Sequence, residues 1–131
     1  AEDNELNMEI AEFIVENEGA VPAKAENGEE AVELFRESAV GTYDVILMDI
    51  MMPVMDGLTA ARKIRAMDRP DAKTIPIIAM TANAFTEDKL KTKEAGMNEH
   101  MSKPLNREQL VETIARLMQE ADDAMYEDNR K

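Results

Sequence analysis

The chain has no cysteine and no tryptophan, a single histidine, and only 4% aromatic residues. Without cysteine, thiol chemistry and cysteine-based zinc sites are excluded, while the redox compartment stays open. Basic side chains are also scarce: 15 Lys and Arg stand against 28 Asp and Glu, for a net charge of −13. Clustered Lys and Arg are what bind phosphate backbones, so nucleic acid is not an expected partner of this domain. No apolar run approaches the roughly 18 residues of a membrane span. No charged start followed by an apolar stretch resembles a signal peptide. The expectation is a cytoplasmic domain without membrane contact.

What the chain does have is an ordinary globular composition, 131 residues with 44% hydrophobic and 33% charged. That length suits one domain able to bury a core without metal or disulfide staples. Residues 1–121 read as that domain. Residues 122–131 read as a polar C-terminal tail, interrupted only by Ala124, Met125 and Tyr126. Charge is uneven: residues 1–37 carry 12 acids and two bases. Part of it is a stripe of Glu5, Glu9, Glu12 and Glu16 on the first predicted helix. Such a stripe is ordinarily a solvated face, with a basic patch on a partner as the minority reading.

Helical and strand signals alternate along the sequence. Leu6, Ile10, Phe13 and Ile14 predict an amphipathic helix that Gly19 ends. Ala20 to Ala25 reads as a short strand, and Pro22 places it at a sheet edge. A second helix follows Asn27-Gly28, carrying Ala31, Leu34 and Phe35, and runs to about Ser38. Val45 to Met48 and Ile75 to Met80 are unbroken apolar runs, as in strands buried on both faces of a parallel sheet. Between them, Gly57 precedes a helix carrying Leu58, Ala61 and Ile64. Thr86 caps a weaker fourth helix that stops at Gly96, and His100 to Ser102 forms a short last strand. Asn106 with Gln109 resembles a capping box opening a long helix. The alternation points to a doubly wound α/β fold with a parallel sheet.

In such sheets ligands bind beyond the carboxyl ends of the strands. Asp49, Thr81 and Lys103 fall at three of those ends, and Glu2-Asp3 lies just before the first helix. Each position alone reads as a turn or cap. Their recurrence at successive strand ends is harder to assign to chance.

The segments Glu2-Asp3-Asn4, Met48-Asp49-Ile50-Met51-Met52-Pro53-Val54-Met55-Asp56-Gly57, Met80-Thr81-Ala82-Asn83-Ala84 and Met101-Ser102-Lys103-Pro104-Leu105 carry a family resemblance. In order and spacing the chain resembles a receiver domain of two-component phosphorelay signalling, most similar to receivers of hybrid sensor histidine kinases. The resemblance implies a flavodoxin-like sheet of order 2-1-3-4-5. It implies Asp49 as phosphoacceptor, taking a phosphoryl group from a phosphohistidine of a histidine kinase or histidine phosphotransfer domain. Mg²⁺ would be held by Asp3, Asp49, the backbone carbonyl of Met51, and Glu2 through water. Lys103 would pair with phosphoryl oxygens, and Thr81 would donate to one of them. Gly57 and Pro104 would be structural, the Lys103-Pro104 bond being cis in the family.

The chemistry supports that reading. A carboxylate attacking a phosphorylated group approaches an anion, so cationic charge must neutralise the oxygens of both. Hard oxygen ligands suit Mg²⁺. His100 departs from the usual aromatic switch residue: it acts as the rotamer switch with Thr81, or is a half-exposed edge-strand side chain. Four methionines between Met48 and Met55 suggest a soft Cu(I) site, but methionine fills loop gaps and hard carboxylates crowd the same segment.

Two other readings are a degenerate receiver acting as a binding module and a Mg²⁺-dependent phosphohydrolase. The first would follow had Asp3, Asp49, Thr81 or Lys103 been lost. The second wants an acid two residues past the nucleophile, where Met51 stands. The expected activity is self-phosphorylation and slow self-dephosphorylation, not turnover of a metabolite.

One feature of the pattern is missing: the family's apolar first strand, here largely absent before Glu2. Burying four aliphatic side chains is worth on the order of 6–12 kcal/mol. The expectation is therefore that upstream residues supply the strand, or that a second chain does so in a strand-exchanged dimer.

Overall fold

The computed structural model describes residues 1–131 apart from 3, 18, 20, 82–88, 104 and 131, and for 89 and 120–130 it describes the backbone. Five helices and three strands alternate among the described residues: α1 (Glu5–Asn17), α2 (Gly28–Glu37), β1 (Ile46–Asp49), α3 (Gly57–Arg65), β2 (Ile77–Thr81), α4 (Lys89–Glu94), β3 (Glu99–Ser102) and α5 (Arg107–Arg130). A 3-10 turn at Pro70–Ala72 leads into β2. The strands form a parallel sheet in the order β1-β2-β3, with Ile46 opposite Ile77 and Ile78 opposite Glu99.

β2 is central in this sheet and buried at every residue. Its alternate side chains serve two cores. Ile77 and Ala79 join Val32, Phe35, Met48 and Ile64 on the face covered by α2 and α3. Ile78 joins Ile14, Met101, Leu110 and Leu117 on the face covered by α1 and α5. A continuous apolar run was needed because neither face of this strand meets water. Full burial of an isoleucine contributes about 1.5–3 kcal/mol, which anchors the strand whose end carries Thr81.

Two sequence expectations are corrected here. Residues 21–25 do not form a strand; Val21 is exposed, and the segment meets the sheet through a bond from the Glu2 N–H to the Ala25 carbonyl, 3.0 Å. Among the described residues a single backbone bond ties it to the Ala1–Glu2 segment, and Pro22 offers no N–H to extend a ladder. On α1 the inward side is Ala11 and Ile14, while Leu6 and Phe13 stand 65% and 67% exposed. Small Ala11 lets the helix lie close, and that turns the Leu6–Phe13 stripe outward. α5 continues to Arg130, so the polar stretch read as a tail is helical to that residue. The Thr86 cap lies outside the described residues.

Ala1 and Glu2 lie beside β1 on the side away from β2. The Ala1 amino group donates to the Leu47 carbonyl, and the Ala1 carbonyl accepts from the Asp49 N–H at 3.0 Å. Beneath them a cavity of about 460 Å³ is lined by α1, α2, residues 21–25 and β1.

The loop from β1 to α3 is fixed by close backbone contacts. Gly57 donates to the Ile50 carbonyl at 2.9 Å, and a Cβ on it would sit 2.2 Å from the Asp49 carbonyl oxygen. Gly28 donates to the Met55 carbonyl at 2.9 Å, and its Cβ would meet that oxygen at 2.4 Å. Asp56 caps α3 through Thr59 N–H, 2.8 Å. Between these anchors Val54 takes φ 67°, with the Met55 N–H bonded to the Pro53 carbonyl across it at 2.7 Å. For a β-branched residue that is an outlier, of a kind worth on the order of 1–3 kcal/mol of strain.

Gly57→Ala is expected to lower stability by about 1–3 kcal/mol, because the obstructing atoms are backbone and cannot swing aside. Urea unfolding of the two proteins measures it. An unchanged midpoint would show that the loop is not pinned at this point.

Candidate functional site

Each functional side chain sits where a strand stops. Asp49 is the last residue of β1 and Thr81 the last of β2, while Lys103 follows β3. The Lys103 N–H donates to the Thr81 carbonyl at 2.7 Å, which ties the last two ends together. Glu2 is set alongside by its bonds through Ala1 to β1 and through its own N–H to Ala25.

The side chains converge on one cation. Lys103 Nζ lies 2.7 Å from Asp49 Oδ2 and 2.9 Å from Glu2 Oε2. Both carboxylates are buried, with Glu2 3% and Asp49 2% exposed. Their other oxygens accept backbone donors: Asp49 Oδ1 from the Met51 N–H at 3.2 Å, Glu2 Oε1 from the Asn4 N–H at 3.1 Å. Burial works against charge on Lys103. The hydrogen bonds it donates to Asp49 and Glu2, with their charges, outweigh it and hold the ammonium above the ordinary lysine pKa. At about 3 Å and an effective dielectric near 20, each attraction is of order 5 kcal/mol before desolvation is subtracted, so Lys103 stays charged.

Two buried carboxylates against one ammonium leave one negative charge uncompensated. The oxygen donors are hard, so the donor set fits a cation such as Mg²⁺. Asp3, the further acid expected there, lies outside the described residues, as do Asn83 and Pro104.

Other predicted residues are placed as follows. Thr81 is 1% exposed beneath the rim. The Met51 side chain is 71% exposed, and it is the Met51 backbone that lies against Asp49. Met48 is buried and Met52 and Met55 pack on the core, which is gap filling rather than convergence on a soft metal. His100 is half-buried on β3, and neither imidazole nitrogen has a hydrogen-bond partner among the described residues. The bonds of the Asn4 N–H to Glu2 and of the Ala1 carbonyl to Asp49 are made by backbone atoms, which no side-chain pattern reveals. Sequence reasoning also missed the Val54 backbone, for which the sequence carries no signal.

Known proteins share this arrangement of chain. The response regulator receiver domain family matches residues 1–115. Hybrid signal transduction histidine kinase I of Dictyostelium discoideum is 38% identical over 116 residues, which cover 87% of this chain and 7% of that protein. The chain spans 5–7% of the length of three such Dictyostelium kinases. The polar-differentiation response regulator DivK of Brucella anthropi is 36% identical over 86% of this chain and 88% of its own. The receiver domain of a sensor histidine kinase from Pseudomonas aeruginosa PAO1, solved with a magnesium ion coordinated in its active site cleft, matches with a TM-score of 0.80 and 36% identity, covering 90% of this chain and 93% of that one. Family match, shared fold and an acidic rim at the strand ends agree, and the chain belongs to the response regulator receiver domains of two-component signalling.

Proposed function

We propose that the domain accepts a phosphoryl group on Asp49 from a phosphohistidine of a histidine kinase or histidine phosphotransfer domain. The observation that carries this reading is the buried cluster of Asp49, Lys103 and Glu2 beside Thr81. A carboxylate oxygen of Asp49 forms the new P–O bond as the P–N bond of the phosphohistidine breaks. The imidazole leaves and takes up a proton, and Asp49 becomes an acyl phosphate. Lys103, already 2.7 Å from Asp49, stabilises the charge gathering on the phosphoryl oxygens. Thr81 donates to one of those oxygens.

Asp49, the Met51 carbonyl and Asp3 would hold Mg²⁺, with Glu2 acting through water. Bound there, the ion supplies the positive charge that lets two anions meet. Thr81 shifting toward the phosphoryl group, and His100 turning with it, would carry the signal outward. With a thioether at Met51 and no acid two residues past Asp49, hydrolysis of a free substrate is not the chemistry of this rim, and self-dephosphorylation is slow.

Acetyl phosphate with Mg²⁺ should add one phosphoryl mass to the wild type and none to Asp49→Asn, as intact mass reads directly. Chelation by EDTA should abolish the uptake; undiminished uptake in EDTA would overturn the mechanism.

Replacing Lys103 by Met strips the ammonium that both buried carboxylates contact. The loss is expected near 3 kcal/mol at pH 7, with millimolar Mg²⁺ recovering part of it. The sign with pH follows from the raised Lys103 pKa: its contribution is complete below the ordinary lysine value near 10.4 and fades as pH climbs through the raised one. Denaturant melts from pH 7 to 11 should show an alkaline decline in wild type that is shallower in the variant.

Lifetime gives a further check. Met51→Asn should change the decay rate of the acyl phosphate several-fold by offering water a polar partner. Identical decay curves would refute a role for this side chain.

A further inference from the structure

The chain combines eleven methionines with no cysteine, and the methionines are densest in the loop that follows Asp49. With no thiol to compete, its thioethers are what the chain offers an oxidant. Burial sorts them, because an oxidant must reach the sulfur lone pair. Met48, Met80, Met97 and Met101 are at most 6% exposed. Met52, Met55 and Met67 pack against the core beneath α2 and α3. Met118 on α5 is 39% exposed, whereas Met51 is 71% exposed, the most accessible thioether among the described side chains.

Its place is what distinguishes Met51 from an ordinary surface methionine. The Met51 N–H donates to Asp49 Oδ1 at 3.2 Å, so the residue is held at the carboxylate itself. The backbone on either side is fixed by Gly57 on the Ile50 carbonyl and Gly28 on the Met55 carbonyl. From that fixed backbone the side chain enters solvent on three rotatable bonds, which let its sulfur swing across the approach to Asp49. Glu2, the other described acid of the rim, is directed at Lys103 and the Asn4 N–H. A thioether beside them is a weak acceptor and holds water poorly.

We infer that Met51 is an oxidation site, and that its conversion to the sulfoxide by hydrogen peroxide shortens the life of the phosphoryl group on Asp49. The inference rests on the phosphoacceptor reading and adds a redox control to the same site. The sulfur lone pair attacks one peroxide oxygen, and the S–O bond forms as the O–O bond breaks. The proton on the transferred oxygen passes to the departing hydroxide, which leaves as water; sulfur is oxidised by two electrons and the peroxide reduced by two. The product is polar and carries a strong acceptor oxygen where an apolar side chain stood. That oxygen accepts a hydrogen bond from a water in line with the phosphorus. Attack by this water breaks the P–O bond to Asp49, releasing inorganic phosphate and the free carboxylate. A sulfoxide reductase reverses the change, its dithiol becoming a disulfide as the sulfoxide oxygen leaves in water.

The test treats the chain with hydrogen peroxide, removes the oxidant and maps the oxygen-bearing methionines by peptide mass. The same material is then loaded with acetyl phosphate and Mg²⁺, and loss of the phosphoryl group is followed by intact mass. Met51 should gain oxygen before any other described methionine, and the oxidised wild type should lose its phosphoryl group at least about threefold faster than the untreated protein. Methionine sulfoxide reductase with a dithiol should restore the untreated rate. Met51→Leu, which offers no sulfur at this position, should decay at one rate before and after peroxide. Met51→Gln carries an acceptor oxygen without any oxidant and should decay faster than Met51→Leu, a comparison that holds even where oxidation elsewhere loosens the fold. Earlier oxidation of another described methionine, equal decay before and after treatment, or the same peroxide response in Met51→Leu each overturns the inference. Absence of phosphoryl uptake by untreated wild type overturns the phosphoacceptor reading and the lifetime control with it, and is distinguishable because the oxygen map does not depend on uptake.

Discussion

Holding two buried carboxylates against one half-buried ammonium at the ends of a parallel sheet is the constraint on which the rest of the molecule depends. A buried ion cluster of this kind gains little net stability, since the attraction is largely spent on desolvation. Its positions must therefore be imposed by something else. The imposing elements are strands buried on both faces, whose ends cannot move without disturbing two cores at once. Asp49 and Thr81 inherit their precision from Ile77 and Ile78, not from each other.

The loop after Asp49 shows the same division of labour. Gly57 and Gly28 remove side chains where carbonyl oxygens approach within 2.2–2.4 Å of where a Cβ would be. Those approaches hold the chain so that the Met51 N–H meets the carboxylate, and they leave Val54 no relaxed backbone. Strain and preorganisation here share one cause: the rim is fixed by backbone contacts on its underside, so the exposed turn absorbs the misfit.

Much of this was legible in the sequence because it rests on side-chain type and period. Val45–Met48 and Ile75–Met80 announced strands buried on both faces, and Asp49, Thr81 and Lys103 fell at strand ends as expected, each boundary shifting by one or two residues. The helix cap at Asn106, read from its spacing to Gln109, is made by its side chain, and those at Asn27 and Asp56, not named from the sequence, are made the same way. What escaped was relational. Leu6 and Phe13 satisfied helical period yet face water, since period gives a stripe but not which neighbour comes near, and Ala11 decided that. Residues 21–25 had strand composition but a proline where a ladder needs a donor. Arg65, to which the sequence pattern assigns no role, bonds the carbonyls of Gly96 and Ala72 and the Asn98 side chain. Only the fold brings its three acceptors together.

Charge counting links the resting rim to its proposed work. Glu2, Asp49 and Lys103 sum to −1, a residue of negative potential at a site shielded from water. Phosphorylation would replace the single charge of Asp49 by nearly two, taking the sum toward −2. Lys103 already serves two carboxylates at 2.7 and 2.9 Å, so it cannot meet that demand without weakening its hold on Glu2. A divalent cation closes the count to zero. The same arithmetic explains why Glu2 belongs in the cluster at all: it keeps Lys103 charged and positioned before the phosphoryl group arrives, and it is the partner from which the ammonium can be released. The acidic surplus that weakens the resting rim is thus what makes it receptive to a cation and, through the cation, to an anionic donor.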